Sequence, residues 1–220
     1  MKKEFLLFCA CIAVQLTGIA QTAKDKYPVP EYSNEIYFLK KDSSMHLQRL
    51  EKGVSKMESK SKMGGMGGGE NGYQLEGSRS TVRMPQLNDL SFVFYTGGSS
   101  STTTPETDSI MKANGMDPSM QQQMGNPMEM MNDPSRTVSL YNMNAEKASR
   151  KITVLSYGGM KVFGKSKKES LKYTLSIKKV RDGYYELVVD KRLPKGEYAF
   201  VYTSMTNMDG SNLLFAFGVD

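Results

Sequence analysis

The sequence predicts an all-β protein, an antiparallel β-sandwich of the immunoglobulin-like type with long flexible loops. Polar and apolar side chains alternate along residues 172–178, as is expected of a strand with one solvent-exposed face and one buried face. Arg181-Asp182-Gly183 then supplies a turn, and Tyr185, Leu187 and Val189 continue the apolar face on a returning strand. Helical periodicity is almost absent from the chain. Many short strands separated by turn residues favour a sandwich.

The remaining strands follow from the same period-two alternation. It recurs at residues 36–40, 45–50, 73–76, 81–84, 90–95, 137–142, 151–157, 197–203 and 213–219. We therefore predict one β-rich domain that spans residues 21–220.

The first twenty residues have the order of a secretory signal peptide. Lys2 and Lys3 precede an apolar run at residues 5–19, and Gly18-Ile19-Ala20 provides small residues for cleavage. No later stretch approaches the roughly 20 apolar residues that a membrane-spanning helix needs. We predict an exported protein, periplasmic, cell-surface or extracellular, with no transmembrane span in its mature chain.

Side chains that carry common redox and hydrolytic chemistry are scarce. Cys9 and Cys11 both lie in the predicted signal peptide, so the mature chain has no cysteine. It has one histidine, His46, and no tryptophan. Disulfides, thiol catalysis and zinc sites of cysteine or several histidines are therefore not expected. No Gly-x-Ser-x-Gly motif accompanies His46. We predict no catalytic residue and no cofactor.

Two stretches interrupt the strand pattern and predict flexible loops. Residues 55–72 contain a Met-Gly-Gly-Met-Gly-Gly-Gly core, and residues 97–135 contain a methionine-rich run. Thioether sulfur is a soft ligand for Cu(I), so the second loop offers a speculative metal site. Its candidate ligands are Met120, Met124, Met128 and Met130. The alternative is a loop whose methionines make loose apolar contacts.

Positive charge is concentrated in residues 145–196, which hold fourteen Lys and Arg against five Asp and Glu. Such a segment can face an anionic surface, such as a glycan or lipid head groups, or it can be a solvated lysine-rich sheet face. The export signal disfavours nucleic acid as a partner.

A tyrosine corner is the best local sign of an immunoglobulin-like fold. Leu193, Gly196 and Tyr198 have the spacing in which a buried tyrosine ring opens a late strand and its hydroxyl bonds back to the preceding turn. We predict these three residues to be structural.

Several segments resemble a family of uncharacterised secreted bacterial β-rich proteins. They are Asn34-Glu35-Ile36-Tyr37-Phe38-Leu39, Leu75-Glu76-Gly77, and the ending GEYAF…FGVD, from Gly196 to Asp220. The resemblance covers most of the mature chain and implies an extracytoplasmic β-rich domain. It carries over no catalytic residue, and the methionine-rich insertion departs from it.

Three functional hypotheses remain open at this point. The leading one is a noncatalytic secreted β-sandwich that acts as a binding or envelope-associated module for an unknown envelope or extracellular partner. The others are a methionine-loop Cu(I) binder and a carboxylate-based hydrolase of extracytoplasmic substrates, because acids distant in sequence can converge. No sequence motif identifies a ligand.

Overall fold

A computed structural model of the chain describes residues 27–42, 44–61, 69–97, 133–157, 169–203 and 209–220. The predicted signal peptide, residues 1–20, lies outside these ranges. The described residues form two sheets, which confirms the predicted antiparallel all-β class. In chain order the elements are β1 Glu35–Lys40, β2 His46–Arg49, β3 Glu51–Lys56, β4 Glu58–Ser61, β5 Gly69–Glu76, β6 Arg83–Met84, β7 Ser91–Tyr95, α1 Pro134–Thr137, β8 Val138–Ala145, β9 Ser149–Tyr157, β10 Lys172–Tyr173, β11 Leu175–Arg181, β12 Tyr184–Val189, β13 Gly196–Tyr202 and β14 Ser211–Val219.

The first sheet has the strand order β11-β12-β7-β1-β2, and all of its pairs are antiparallel. Its β11–β12 hairpin confirms the predicted return at Arg181-Asp182-Gly183. The predicted strand over residues 172–178 is divided, however, because Lys172 and Tyr173 form β10 and pair with β8 of the second sheet. Gly183 turns the hairpin with φ of 66°, a left-handed conformation that glycine adopts without steric cost.

The second sheet has the strand order β3-β14-β13-β8-β9-β5-β4, with β10 paired to β8 and β6 paired in parallel to β14. This sheet curls into a half-barrel. Although β3 is an end strand and β5 lies near the opposite end, the Gln74 amide donates to Ser55 Oγ at 3.1 Å. The curl therefore brings the two ends of one sheet against each other.

The strands β13 and β14 bury both of their faces, and each face belongs to a different core. A third, smaller cluster of Leu39, Val93 and Tyr184 lies on the outer face of the first sheet. The main core lies between the sheets, and its β13 and β14 members are mostly aromatic: Tyr198, Phe200, Tyr202, Phe215, Phe217 and Val219. The second core lies inside the curl, and the same strands give it smaller side chains: Ala199, Val201, Leu214 and Ala216. Large residues on one face and small ones on the other suit a strand at the concave wall of a barrel.

Part of the first predicted loop, residues 55–72, forms strands. Within residues 55–72, β3 runs to Lys56, β4 spans Glu58–Ser61 and β5 begins at Gly69, so that 62–68 alone lie outside the described residues. Ladder hydrogen bonds between β4 and β5 order this polar segment without burying apolar side chains. Residues 98–132 of the second predicted loop also lie outside the described ranges.

Within the described residues, no helix has the length and apolar character needed to cross a lipid bilayer.

Candidate functional site: the seam between β3 and β5

The chain changes its strand partner at Met57. Before it, β3 pairs with β14, and after it, β4 pairs with β5 from Glu58–Gly72 to Ser61–Gly69. Beyond Gly72, β5 pairs with β9 alone. In the described part of the chain, β3 and the second half of β5 therefore lie side by side without a backbone ladder. We call this junction the seam.

Side chains close the inner wall of the seam. At one end Ser55 Oγ accepts the Gln74 amide at 3.1 Å. In the middle Leu75 lies over Gly53 so closely that a Cβ at Gly53 would overlap Leu75 Cδ2. Glycine suits this position because Leu75 Cδ2 occupies the space of a Cβ, and a larger residue would require the end of the leucine side chain to shift.

Arg150 closes the other end of the seam. Its guanidinium is 1% exposed and donates from Nε to Gly77 O and from Nη2 to Glu76 O, both at 3.0 Å. It also pairs with Glu51, with Nη1 3.3 Å from Oε2, and lies 3.8 Å from Glu197. The guanidinium thus satisfies two carbonyls that no neighbouring strand reaches, and it joins them to β3 through Glu51.

Further ion pairs hold this end of the half-barrel together. The Ser80 amide donates to Glu197 at 2.7 Å and the Ser80 hydroxyl to Glu51 at 2.7 Å. Arg83 bonds both Glu197 and Asp220. We call Glu51, Arg83, Arg150, Glu197 and Asp220 the barrel-end network. Because it links strands distant in sequence, it fixes the wall of the seam on which Glu51 lies.

Outside the seam the chain leaves an open groove of about 420 Å³. We call it the seam groove; it is lined by Glu51, Lys52, Gly53, Val54, Glu58, Gln74, Leu75 and Glu76. Val54 is 64% exposed at its rim. Three carboxylates face one ammonium, and that ammonium, of Lys52, is 3.0 Å from Glu35 outside the groove. Glu51 is paired with Arg150 and Glu58 lies 3.0 Å from Lys60, so Glu76 is the groove carboxylate without a described cationic partner. The floor of the groove, at Gly53 and Leu75, is apolar.

The groove carboxylate Glu51 is held ionised. Burial alone would raise its pKa, but hydrogen bonds from Arg150, Ser80 and the Thr81 amide outweigh burial and lower the pKa below the ordinary value. At neutral pH Glu51 consequently carries a full negative charge, most of which Arg150 balances.

Two further glutamates are buried on the outer face of the first sheet. Burial opposes their ionisation, yet the pKa of each is lowered, in Glu35 by Arg49 at 2.7 Å together with Lys52, and in Glu186 by Lys41 at 2.7 Å. A general acid at neutral pH needs a raised pKa. Neither these two residues nor Glu51 meets that requirement, so the hydrolase hypothesis must rest on other carboxylates and stays a prediction.

The structure places the predicted tyrosine corner at the start of β13. The Tyr198 hydroxyl donates to Pro194 O at 2.7 Å, the bond back to the preceding turn that the spacing predicted. Leu193 is fully buried, and Gly196 lies beside the Tyr198 ring. These residues belong to the main core and not to the seam groove.

The other residues singled out from sequence do not meet at one place. His46 is an exposed residue of β2, 3.3 Å from Asp42. Met120, Met124, Met128 and Met130 lie outside the described residues, so the Cu(I) site stays a prediction. Among the side chains that the structure does describe, no cluster of three or more His, Cys, Asp or Glu is arranged to hold a metal ion.

In the described parts of the predicted basic segment of residues 145–196, which are residues 145–157 and 169–196, the charged side chains lie on several surfaces. Arg150 is buried in the barrel-end network, Lys151 pairs with Glu146 at 2.6 Å, and Lys179 pairs with Asp182 at 3.0 Å. Binding of an anionic surface by the other lysine and arginine residues of this segment stays a prediction.

Sequence reasoning missed the seam, and one signal for it was present. On β9 the interior positions are Arg150, Ile152 and Val154, so a charged residue continues an apolar series. A cation at a position facing the core predicts a buried ion pair. The sequence does not indicate that Glu51 and Glu197 are the acidic partners of Arg150.

With the fold and groove described, the chain can be set beside other proteins. Comparisons with protein-family models, with curated proteins and with solved structures each found no match. The described residues form an all-β structure of two antiparallel sheets, one of them a curled half-barrel.

Proposed function

We propose that this chain is a noncatalytic binding module, exported from the cell and soluble beyond the membrane or associated with the envelope, that takes its ligand in the seam groove. The seam groove is the observation that carries the proposal. Export is supported by the signal-peptide pattern of residues 1–20. A relation to immunoglobulin-like sandwiches is part of the proposal, and the Tyr198–Pro194 hydrogen bond supports it.

Three properties of the groove favour binding. Its volume, about 420 Å³, falls in the range of roughly 300–1,000 Å³ typical of ligand sites. Its walls combine charged groups with an apolar floor. The barrel-end network holds one wall in place, so little ordering is needed when a ligand arrives.

Site-specific photo-crosslinking tests the proposal. A photoreactive residue is placed at Val54, on the groove rim, and in a matched variant at Leu87, which is 41% exposed and does not line the groove. Each purified protein is incubated with an envelope fraction, with and without excess unlabelled chain. We expect adducts of defined mass from position 54 that the unlabelled chain suppresses. Adducts that are equal at both positions, or absent from both, would contradict the proposal.

A further inference from the structure

We propose that two copies of this chain associate by exchanging residues 27–33, which we call the strap, between the outer faces of their first sheets. This inference goes beyond the proposed function and does not depend on the seam groove. It follows from three features of the structure: the contacts that hold the strap, the turn that joins the strap to β1, and the face that the strap covers.

Side chains hold the strap on the sheet, and a backbone ladder does not. The Tyr27 hydroxyl donates to Glu186 at 2.8 Å, and the Tyr184 hydroxyl donates to Pro28 O at 2.9 Å. Within the described ranges, no backbone-to-backbone hydrogen bond joins the strap to a strand. The two hydrogen-bonded pairs lie 159 and 156 positions apart in the chain, so either copy can supply the strap without a change in these contacts.

The strap is joined to β1 by a turn at Ser33 and Asn34. Asn34 has a φ of 56°, and no other non-glycine residue among those described has a positive φ. The left-handed region costs a residue with a side chain free energy, although asparagine tolerates it better than most. An extended Asn34 avoids this cost and carries the strap away from its own sheet. Short connections under strain favour the exchange of an element between identical chains.

The face beneath the strap needs an occupant. Leu39, Val93 and Tyr184 form a buried cluster there, and Tyr27 packs against it with its ring centroid 5.8 Å from that of Tyr184. A strap that leaves its own sheet uncovers this cluster and removes the Tyr27 donor from the buried Glu186. The strap of a second copy restores these contacts. Because each copy then gives one strap and receives one, the association closes as a symmetric dimer.

Two prolines keep the strap extended before it docks. Pro28 and Pro30 fix their own φ near −65° and restrict the residues before them to extended conformations, which lowers the cost of ordering the strap on a new partner. Their missing amide hydrogens also disfavour a ladder with a sheet edge. At the far end the Tyr32 amide donates to the Tyr37 hydroxyl at 3.0 Å, again a contact to a side chain.

Sedimentation equilibrium of the mature chain tests the exchange. Asn34→Val should favour the open turn, because a β-branched residue is strongly disfavoured in the left-handed region. A penalty of about tenfold at each of the two turns raises the dimer association constant by about a hundredfold. Asn34→Gly should not raise it, because glycine adopts positive φ freely. Asn88→Val is the matched control, since Asn88 is exposed and its φ is not positive; it should leave association unchanged.

A peptide with the sequence of residues 27–32 shows whether the strap forms the dimer. Blocked Tyr-Pro-Val-Pro-Glu-Tyr in excess should dissociate the Asn34→Val dimer, because it occupies the same faces, and a scrambled peptide should not. The labelled peptide should also bind the native chain more tightly than the scrambled one does, a measurement that needs no variant.

Three results would each overturn the inference: equal association of the Asn34→Val and Asn88→Val variants, a dimer that the peptide leaves intact, or equal binding of the two peptides to the native chain. None of them bears on the seam groove, because β3, which carries position 54, belongs to the second sheet.

Discussion

Replacing Arg150 by methionine tests whether the barrel-end network holds the half-barrel closed. Methionine keeps most of the length and the apolar stem of the side chain but removes the guanidinium. In the native chain that guanidinium donates to Glu76 O, Gly77 O and Glu51, and it is 1% exposed. The substitution removes this donor from two carbonyls, and it leaves Glu51 with its hydrogen bonds from Ser80 and Thr81 but without the balancing cation.

The expected cost lies below that of a fully buried ion pair, because the groups that Arg150 leaves behind can reach water: Glu76 and Gly77 are exposed residues and the Glu51 side chain is 24% exposed. Removing one partner of a fully buried ion pair typically costs about 3–5 kcal/mol. A hydrogen bond to a charged group contributes roughly 1.5–3 kcal/mol. We therefore expect Arg150→Met to lower the free energy of unfolding by about 2–3 kcal/mol.

Denaturant unfolding followed by circular dichroism measures this loss, and the chain supplies a matched control in the next residue. Lys151 lies on the same strand but faces outward, 2.6 Å from Glu146 at the surface. Lys151→Met should cost no more than about 1 kcal/mol, because a partly exposed ion pair contributes little. A second variant, Arg150→Met with Glu51→Gln, should recover part of the loss, since it removes the charge that Arg150 leaves behind.

Two results would refute this reasoning. If Arg150→Met and Lys151→Met lower stability equally, the buried network contributes no more than a surface pair. The second result concerns additivity. If Glu51→Gln lowers the free energy of unfolding of the Arg150→Met variant by as much as it lowers that of the native chain, the two residues act independently. The guanidinium of Arg150 would then not balance the charge of Glu51.

Three further predictions concern other parts of the fold. Tyr198→Phe should lose about 1 kcal/mol, because the buried Tyr198 hydroxyl no longer bonds the carbonyl of Pro194, an exposed residue; coinciding denaturant midpoints would show that the hydroxyl is dispensable. Gly72→Ala should destabilise the protein more than Gly53→Ala, because the new Cβ meets the Ile152 backbone carbonyl and not the end of a leucine side chain; equal melting temperatures would contradict the close strand approach. Glu35, Glu51 and Glu186 have lowered pKa values in the folded protein, so on acidification the unfolded chain binds protons at these residues before the folded chain does. The free energy of unfolding should therefore be level above about pH 6 and fall below about pH 5. Stability that rises on acidification through that range would show that these carboxylates are not stabilised as anions.

The sequence alone determined those elements whose deciding residues lie close together in the chain. The β11–β12 hairpin is such a case, because its alternation and its Asp-Gly turn are local. The Tyr198 hydrogen bond is another, because its donor and acceptor are four residues apart. In both, the residues that decide the structure are neighbours in the chain.

Tertiary structure alone decided the curl, the seam and the partners of Arg150. The alternation of polar and apolar residues indicates whether one face of a strand is exposed to solvent. It does not indicate which strand pairs with it, because the hydrogen bonds of a ladder are made by the backbone and not by the side chains. The change of partner at Met57 leaves no local mark in the sequence. The ion pair between Glu51 and Arg150 joins residues ninety-nine positions apart. The seam groove exists because β3 and the second half of β5 lie side by side without a backbone ladder. Their closeness depends on the curl of the whole second sheet.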